Sequence, residues 1–135
     1  MASETLTLLR NTVKEYRAFA DRVRRPALKQ FLFTIIDYIQ RQVEALEEGM
    51  DDVLEGFDFP ATGGAEGSSA LLAGVKDDIE GLKAVDRHIR GSVGYFGRLA
   101  DLAGGSEAGI IFRQYRDEAL KLSRLVEDRL ELESL

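Results

Sequence analysis

His88 is the only histidine in the chain, and the chain has no cysteine. Without cysteine there can be no disulfide, cysteine-ligated zinc, iron–sulfur centre or thiol nucleophile. A Glu and a His three residues apart on a helix can bind metal together, because residues i and i+3 project from one face. Val85 lies three residues before His88, so no such pair exists. No catalytic triad is indicated either, and we interpret His88 as a structural side chain, at the surface or partly buried.

Carboxylates are concentrated in one stretch, EALEEGMDDVLEGFD, residues 44–58. Such a stretch could bind a cation or contact a partner. It lacks the glycine-turned spacing of a calcium loop, however, and flexible carboxylates without that geometry bind cations weakly. We therefore interpret it as a solvated helix end and loop.

Composition narrows the classes of protein further. The chain has 135 residues, 44% of them hydrophobic, which suits one domain over residues 1–135. The net charge of −6 argues against binding nucleic acid, which requires a basic surface. The first residues, MASETLTLLRNTVKEY, resemble no signal peptide, and no segment reaches the roughly 18 uninterrupted apolar residues of a membrane span. We predict a cytoplasmic protein that binds neither nucleic acid nor membrane.

Apolar residues recur at alternating steps of three and four, which predicts four amphipathic helices and an all-α fold. The four seams are Leu6, Leu9, Val13, Tyr16 and Ala20; Leu28, Leu32, Ile35, Ile39, Gln42 and Leu46; Leu82, Val85, Ile89, Ser92 and Phe96; and Phe112, Tyr115, Ala119, Leu122 and Val126. Pro26 suits the first turn of the second helix, because its missing N–H would be unpaired there. Ser106, in GGSEAG, is the predicted N-cap of the fourth. Helices one and two, and helices three and four, should thus form two hairpins.

The connection between the hairpins differs from the turns inside them. EGFDFPATGGAEGSS, about residues 55–69, is rich in glycine and serine, and is long enough to cross over the length of a helix. The two hairpins also align without gaps at an offset of 80 residues, so that Arg10 corresponds to Arg90 and Glu47 to Glu127. The sequence predicts two copies of one helical hairpin.

Two long stretches carry a family resemblance. EYRAFADRVRRPALKQFLFTIIDYIQRQVEALEEG and YFGRLADLAGGSEAGIIFRQYRDEALKLSRLVEDRLE resemble the rubrerythrin branch of the ferritin-like superfamily. In that branch a Tyr-x-x-Leu-Ala segment leads through a short turn and Pro-x-Leu-Lys into a second helix. The resemblance implies a ferritin-like four-helix bundle of two hairpins joined by a long crossover. It also implies a di-iron site, with a Glu from each of two helices and a Glu-x-x-His pair from each of the other two.

This chain departs from the family at the metal ligands. The corresponding positions hold Leu9, Ile39, Gln42, Ile89, Ala119 and Leu122. None of the six is an ionisable metal ligand, five are apolar, and the four predicted seams contain no acid. We therefore expect no catalytic residue, no metal and no cofactor, and a core that is stable without iron because it buries no unpaired carboxylate.

Gln42 is the one polar residue of its seam. It could line a small pocket together with Tyr16 and Tyr115. A buried amide that is hydrogen-bonded within the core is the more ordinary interpretation.

Gly91, Gly94 and Gly97 are spaced three apart within the third predicted helix. Each should cost about 0.5–1 kcal/mol relative to alanine, which suggests a compensating role. Close approach of another helix in the chain, a kink, and a homodimer contact are the alternatives. A phosphate-binding loop is disfavoured, because no strand precedes the glycines and no Lys-Ser/Thr follows them.

Three functional hypotheses follow. The favoured one is a metal-free, non-catalytic ferritin-like bundle that acts as an interaction or assembly module, as a homodimer or with another protein. The second is an iron-handling protein or oxidoreductase with an unusual carboxylate site. The third is a carrier of a small apolar ligand near the former metal positions.

Overall fold

The computed structural model describes residues 2–60, Leu72 and residues 74–135. Every regular element in these residues is helical, which confirms the all-α, four-helix prediction. The long helices are α1 (Glu4–Arg22), α2 (Pro26–Ala45), α4 (Asp78–Ala103) and α5 (Glu107–Glu133), and α3 (Asp51–Glu55) is a short helix after α2. None of the described helices is long and apolar enough to cross a membrane.

The helices belong to two compact units, each built on one hairpin. The described residues of the first hairpin unit are 2–58 and Leu72; those of the second are Phe59, Pro60 and residues 74–135. The predicted crossover begins where α3 ends, and most of it lies outside the described residues. The single domain expected for residues 1–135 stays a prediction.

The first hairpin begins at a capped helix terminus. The Ser3 hydroxyl accepts a hydrogen bond from the Leu6 N–H at 3.1 Å, which satisfies one of the free donors at the start of α1. Extended backbone at Val23 ends α1. Pro26 is the first residue of α2, as predicted, and α1 packs along α2 across this three-residue turn.

A kink separates α2 from α3. Leu46–Met50 form a wide helical turn in which Gly49 has φ 141°, a conformation that side chains other than glycine rarely adopt. The chain then enters α3 at Asp51, which is buried. The acidic stretch is therefore helical for most of its length, and only part of it is the predicted loop.

The second hairpin has its own caps and its own tight turn. Asp77 accepts a hydrogen bond from the Glu80 N–H at 2.8 Å at the start of α4. Gly104 turns the chain at φ 59°, and Ser106 caps α5 by accepting from the Gly109 N–H at 3.2 Å, which confirms its predicted role. Gly109 has no room for a side chain, because a Cβ there would lie 2.2 Å from the Gly104 carbonyl oxygen.

The buried residues of the two hairpins correspond at the predicted offset of 80. Corresponding buried pairs include Leu9 and Ile89, Tyr16 and Phe96, Ala20 and Ala100, Leu32 and Phe112, Ile35 and Tyr115, and Leu46 and Val126. Two interactions also recur. Arg10 pairs with Glu47 at 2.7 Å as Arg90 pairs with Glu127 at 2.9 Å. Equivalent hydroxyls, of Thr12 and Ser92, donate to the carbonyl oxygen four residues earlier. The hairpins therefore share a core pattern and specific contacts.

Candidate functional site

The six residues predicted to correspond to the family's metal ligands are all buried. The first hairpin contributes Leu9, Ile39 and Gln42, and the second contributes Ile89, Ala119 and Leu122; none is more than 8% exposed. In each hairpin these residues belong to the apolar seams that pack its helices. The family would place carboxylates and imidazoles at these positions. Five of the six residues here have hydrocarbon side chains, and the sixth, Gln42 of the first hairpin, has an amide.

The three polar core candidates are buried as well. Tyr16 and Gln42 belong to the first hairpin and Tyr115 to the second. Burial raises the pKa of Tyr16 far above its ordinary value, so the phenol stays protonated at any physiological pH. The Tyr115 ring meets Phe96 edge to face, with centroids 5.7 Å apart. These side chains behave as amphipathic core residues within their hairpins, and a pocket formed by all three stays a prediction.

Two buried aspartates lie outside the predicted seams. Asp51, at the start of α3, accepts hydrogen bonds from the Ser3 N–H at 2.9 Å and from the Ser3 hydroxyl. This contact fastens the start of α1 to the segment beyond the kink. The carboxylate is therefore engaged by two donors of its own hairpin, and its role is structural.

Asp86 is the second buried aspartate, on α4. Its Oδ2 pairs with the Arg90 guanidinium at 3.0 Å, and Arg90 also reaches Glu127 on α5 at 2.9 Å. Oδ1 of Asp86 has no hydrogen-bond partner among the described residues. Arg90 thus bridges the two helices and neutralises a buried charge. The i,i+4 spacing of Asp86 and Arg90 was visible in the sequence, but it does not distinguish a buried pair from an exposed one.

Metal-ligating side chains do not gather in the part of the chain that the structure describes. Among residues 2–60, 72 and 74–135, no group of three His, Asp or Glu side chains is placed to hold one metal ion. His88 is partly buried, and desolvation lowers its pKa to about 4. Its imidazole is consequently neutral at pH 7 and a weak base, which makes it poorly suited to general-base catalysis.

Gly91, Gly94 and Gly97, which we call the glycine row, each have room for a methyl group among the described residues. A Cβ at Gly91 would meet no described atom within 4 Å, and one at Gly94 or Gly97 would come no closer than 3.6 Å to Arg98 or 3.7 Å to Arg116. All three lie inside the continuous helix α4. The contacts among the described residues therefore do not require glycine at any of the three positions. Close helix approach and a contact with another molecule both stay predictions.

Each hairpin has a surface groove lined by described residues. The groove of the first hairpin has a volume of about 510 Å³ and is lined by Arg10, Val13, Lys14, Arg17, Ala18, Asp21, Gln40, Val43 and Glu47. The groove of the second hairpin, about 620 Å³, is lined by Lys83, Asp128, Leu130, Glu131, Leu132, Ser134 and Leu135. Neither includes any of the six ligand-equivalent residues. Sequence analysis missed the first groove, although the basic residues at i, i+4 and i+7 of α1 were a usable signal.

The chain matches no protein-family model, no curated protein and no solved structure. The resemblance to the rubrerythrin branch therefore stays a prediction from the sequence.

Proposed function

We propose that the chain is a metal-free, non-catalytic protein of the ferritin-like type that acts as an interaction or assembly module in the cytoplasm. The observation that supports this proposal best is the burial of six residues, none of them ionisable, at the positions where the family binds iron. An apolar seam stabilises a helical hairpin without metal, whereas buried carboxylates need metal or another cation beside them.

The metal-binding alternative has less support. A di-metal oxidoreductase with an unusual carboxylate site would need buried acids that are free to bind metal. The two buried aspartates, Asp51 and Asp86, already interact with Ser3 and Arg90. No observation on the described residues favours this function over the first.

A homodimer contact through the second hairpin is part of the proposal. Gly91 and Gly94 are exposed in the middle of α4. Six of the seven large apolar side chains exposed among the described residues belong to the same hairpin: Leu102, Ile110, Leu120, Leu125, Leu132 and Leu135. Exposed apolar residues and glycines together would suit the close approach of a partner helix.

Thermal unfolding with and without metal tests the metal-free proposal. A metal that binds the folded chain raises the midpoint, because binding at 100 times Kd adds about 2.7 kcal/mol to the unfolding free energy. We expect equal midpoints in Fe(II), in Mn(II) and in chelator under anaerobic conditions. A midpoint several degrees higher in either metal than in chelator would overturn the proposal.

A further inference from the structure

The groove of the first hairpin contains two cations that no described residue neutralises. Lys14 and Arg17 are exposed on one wall, and neither forms an ion pair with another described residue. Arg10, one turn before Lys14, is paired with Glu47 on the opposite wall. Lys14 and Arg17, which we call the basic row, are therefore available to an acidic partner.

The same hairpin also carries unneutralised acids. Glu44 and Glu48 are exposed, lie one turn apart and pair with no other described residue. They directly follow Val43 and Glu47, which line the groove. We call them the acidic row. The segment that includes the basic row, residues 1–29, has seven basic and three acidic side chains, a net charge of +4, whereas residues 30–67 have one basic and nine acidic, a net charge of −8.

The hairpin fold does not require these charges. At the offset of 80, Lys14 and Arg17 correspond to Gly94 and Gly97, and Glu44 and Glu48 correspond to Arg124 and Asp128. The second hairpin builds the same core and the same interhelix ion pair without either row. Both rows therefore belong to the surface of the first hairpin and not to its packing.

The two rows meet at one level along the hairpin. The Arg10–Glu47 pair aligns the two helices, and because α1 and α2 are antiparallel, four residues along α1 match four residues back along α2. Lys14 is thus level with Val43 and Glu44. A two-fold axis parallel to the hairpin would place α1 of one copy against α2 of another. It would bring Lys14 of each copy level with Glu44 of the other, with Arg17 and Glu48 about one helical turn away on opposite sides, within reach of long side chains.

We propose that two copies of the chain associate through this charged face of the first hairpin. The inference rests on the proposed role as an assembly module, and it uses a different face from the glycine row. At about 1.5 Å per residue and about 10 Å per helix diameter, the face measures roughly 28 by 20 Å. This area of roughly 560 Å² per copy lies at the low end for specific interfaces. The dimer is accordingly weak, reversible and sensitive to salt.

Sedimentation equilibrium of the full chain and four variants tests the inference. At about 10 mM salt, where the Debye length is about 30 Å, we expect dimers; at 1 M, where it is about 3 Å, we expect the dimer Kd to rise at least tenfold. Lys14→Glu/Arg17→Glu and Glu44→Lys/Glu48→Lys should each weaken dimerisation at least tenfold. The control Arg24→Glu/Lys29→Glu makes the same change in charge as Lys14→Glu/Arg17→Glu, near the turn of the same hairpin and outside the groove, and should leave the Kd unchanged.

Mixing the two charge-reversed variants is the decisive experiment. An equimolar mixture of the two charge-reversed variants restores both contacts in one heterodimer, so its Kd should return to within about threefold of the wild-type value. The quadruple variant should likewise form homodimers. If neither charge reversal weakens the wild-type dimer, dimerisation through the charged face is refuted. Self-association through the glycine row would then remain the explanation of the dimer. A wild-type chain that stays monomeric up to about 100 μM at low salt would overturn both dimer contacts, while the metal-free proposal is judged by its own melting experiment.

Discussion

His88 provides a quantitative test of burial in the second hairpin, because it is the only histidine and gives a single imidazole titration. Desolvation lowers its pKa to about 4 in the folded chain, from an ordinary value of 6.5. The histidine C–H resonances in NMR spectra should therefore stay at their neutral-form positions from pH 8 to about pH 5. In urea, the same resonances should titrate near pH 6.5.

The same shift predicts a dependence of stability on pH. Between pH 6.5 and 4 the unfolded chain binds a proton at His88 that the folded chain does not, so the free energy of unfolding falls as the pH falls. With these two pKa values the loss between pH 7.5 and pH 5 is about 2 kcal/mol. Below pH 4 both states are protonated and this contribution becomes constant.

A matched variant separates the pH dependence of stability that is due to His88 from the pH dependence that is due to the carboxylates. Leu8 occupies the corresponding position in the first hairpin and is buried there, so His88→Leu introduces a residue that the repeat already accommodates. Urea unfolding at pH 7.5 and pH 5 should give a pH-dependent loss about 2 kcal/mol smaller for this variant than for the wild type. A folded-state pKa of 6 or higher, or equal pH dependence in the two proteins, would refute the burial argument.

Two further comparisons use pairs of equivalent changes. Gly109→Ala should lower the free energy of unfolding by more than 1 kcal/mol because of the clash with the Gly104 carbonyl. Gly91→Ala should instead raise it by about 0.5–1 kcal/mol, because the new methyl group meets no described atom and alanine favours a helix. The two variants are compared by urea denaturation, and a loss at Gly91 as large as that at Gly109 would contradict the geometry. Arg10→Ala should cost less than about 1 kcal/mol, since it removes an exposed pair, but Arg90→Ala should cost more because it leaves Asp86 buried without its cation. Equal costs at these two positions would show that Asp86 is hydrated.

Sequence patterns predicted the helices well because burial follows the period of a helix. The four seams, Pro26 at the start of α2 and the Ser106 cap all rest on local physical chemistry, namely periodic burial, a missing N–H and a side-chain acceptor. The offset of 80 residues also indicated in advance which buried positions would correspond. The kink at Gly49 was missed, because an isolated glycine near a helix end indicates a stop as readily as a bend.

The buried polar interactions could not be predicted in the same way. Asp51 lies among exposed acids in the sequence, and only the approach of Ser3 from the start of α1 distinguishes it from Asp52. The room around the glycine row could not be predicted either, because the spacing of glycines in the sequence does not show whether a neighbouring helix is close. Such features depend on contacts between residues that are distant in the chain.

The central proposal is that the six residues predicted to correspond to the family's metal ligands bind no metal, and elemental analysis tests it most directly. The chain is reconstituted anaerobically with Fe(II) or Mn(II), freed of loosely bound ion, and analysed by elemental mass spectrometry. We predict less than about a tenth of a metal ion per chain, since the six corresponding residues offer hydrocarbon and one amide. Two tightly held metal ions per chain would contradict the account and favour the di-metal oxidoreductase.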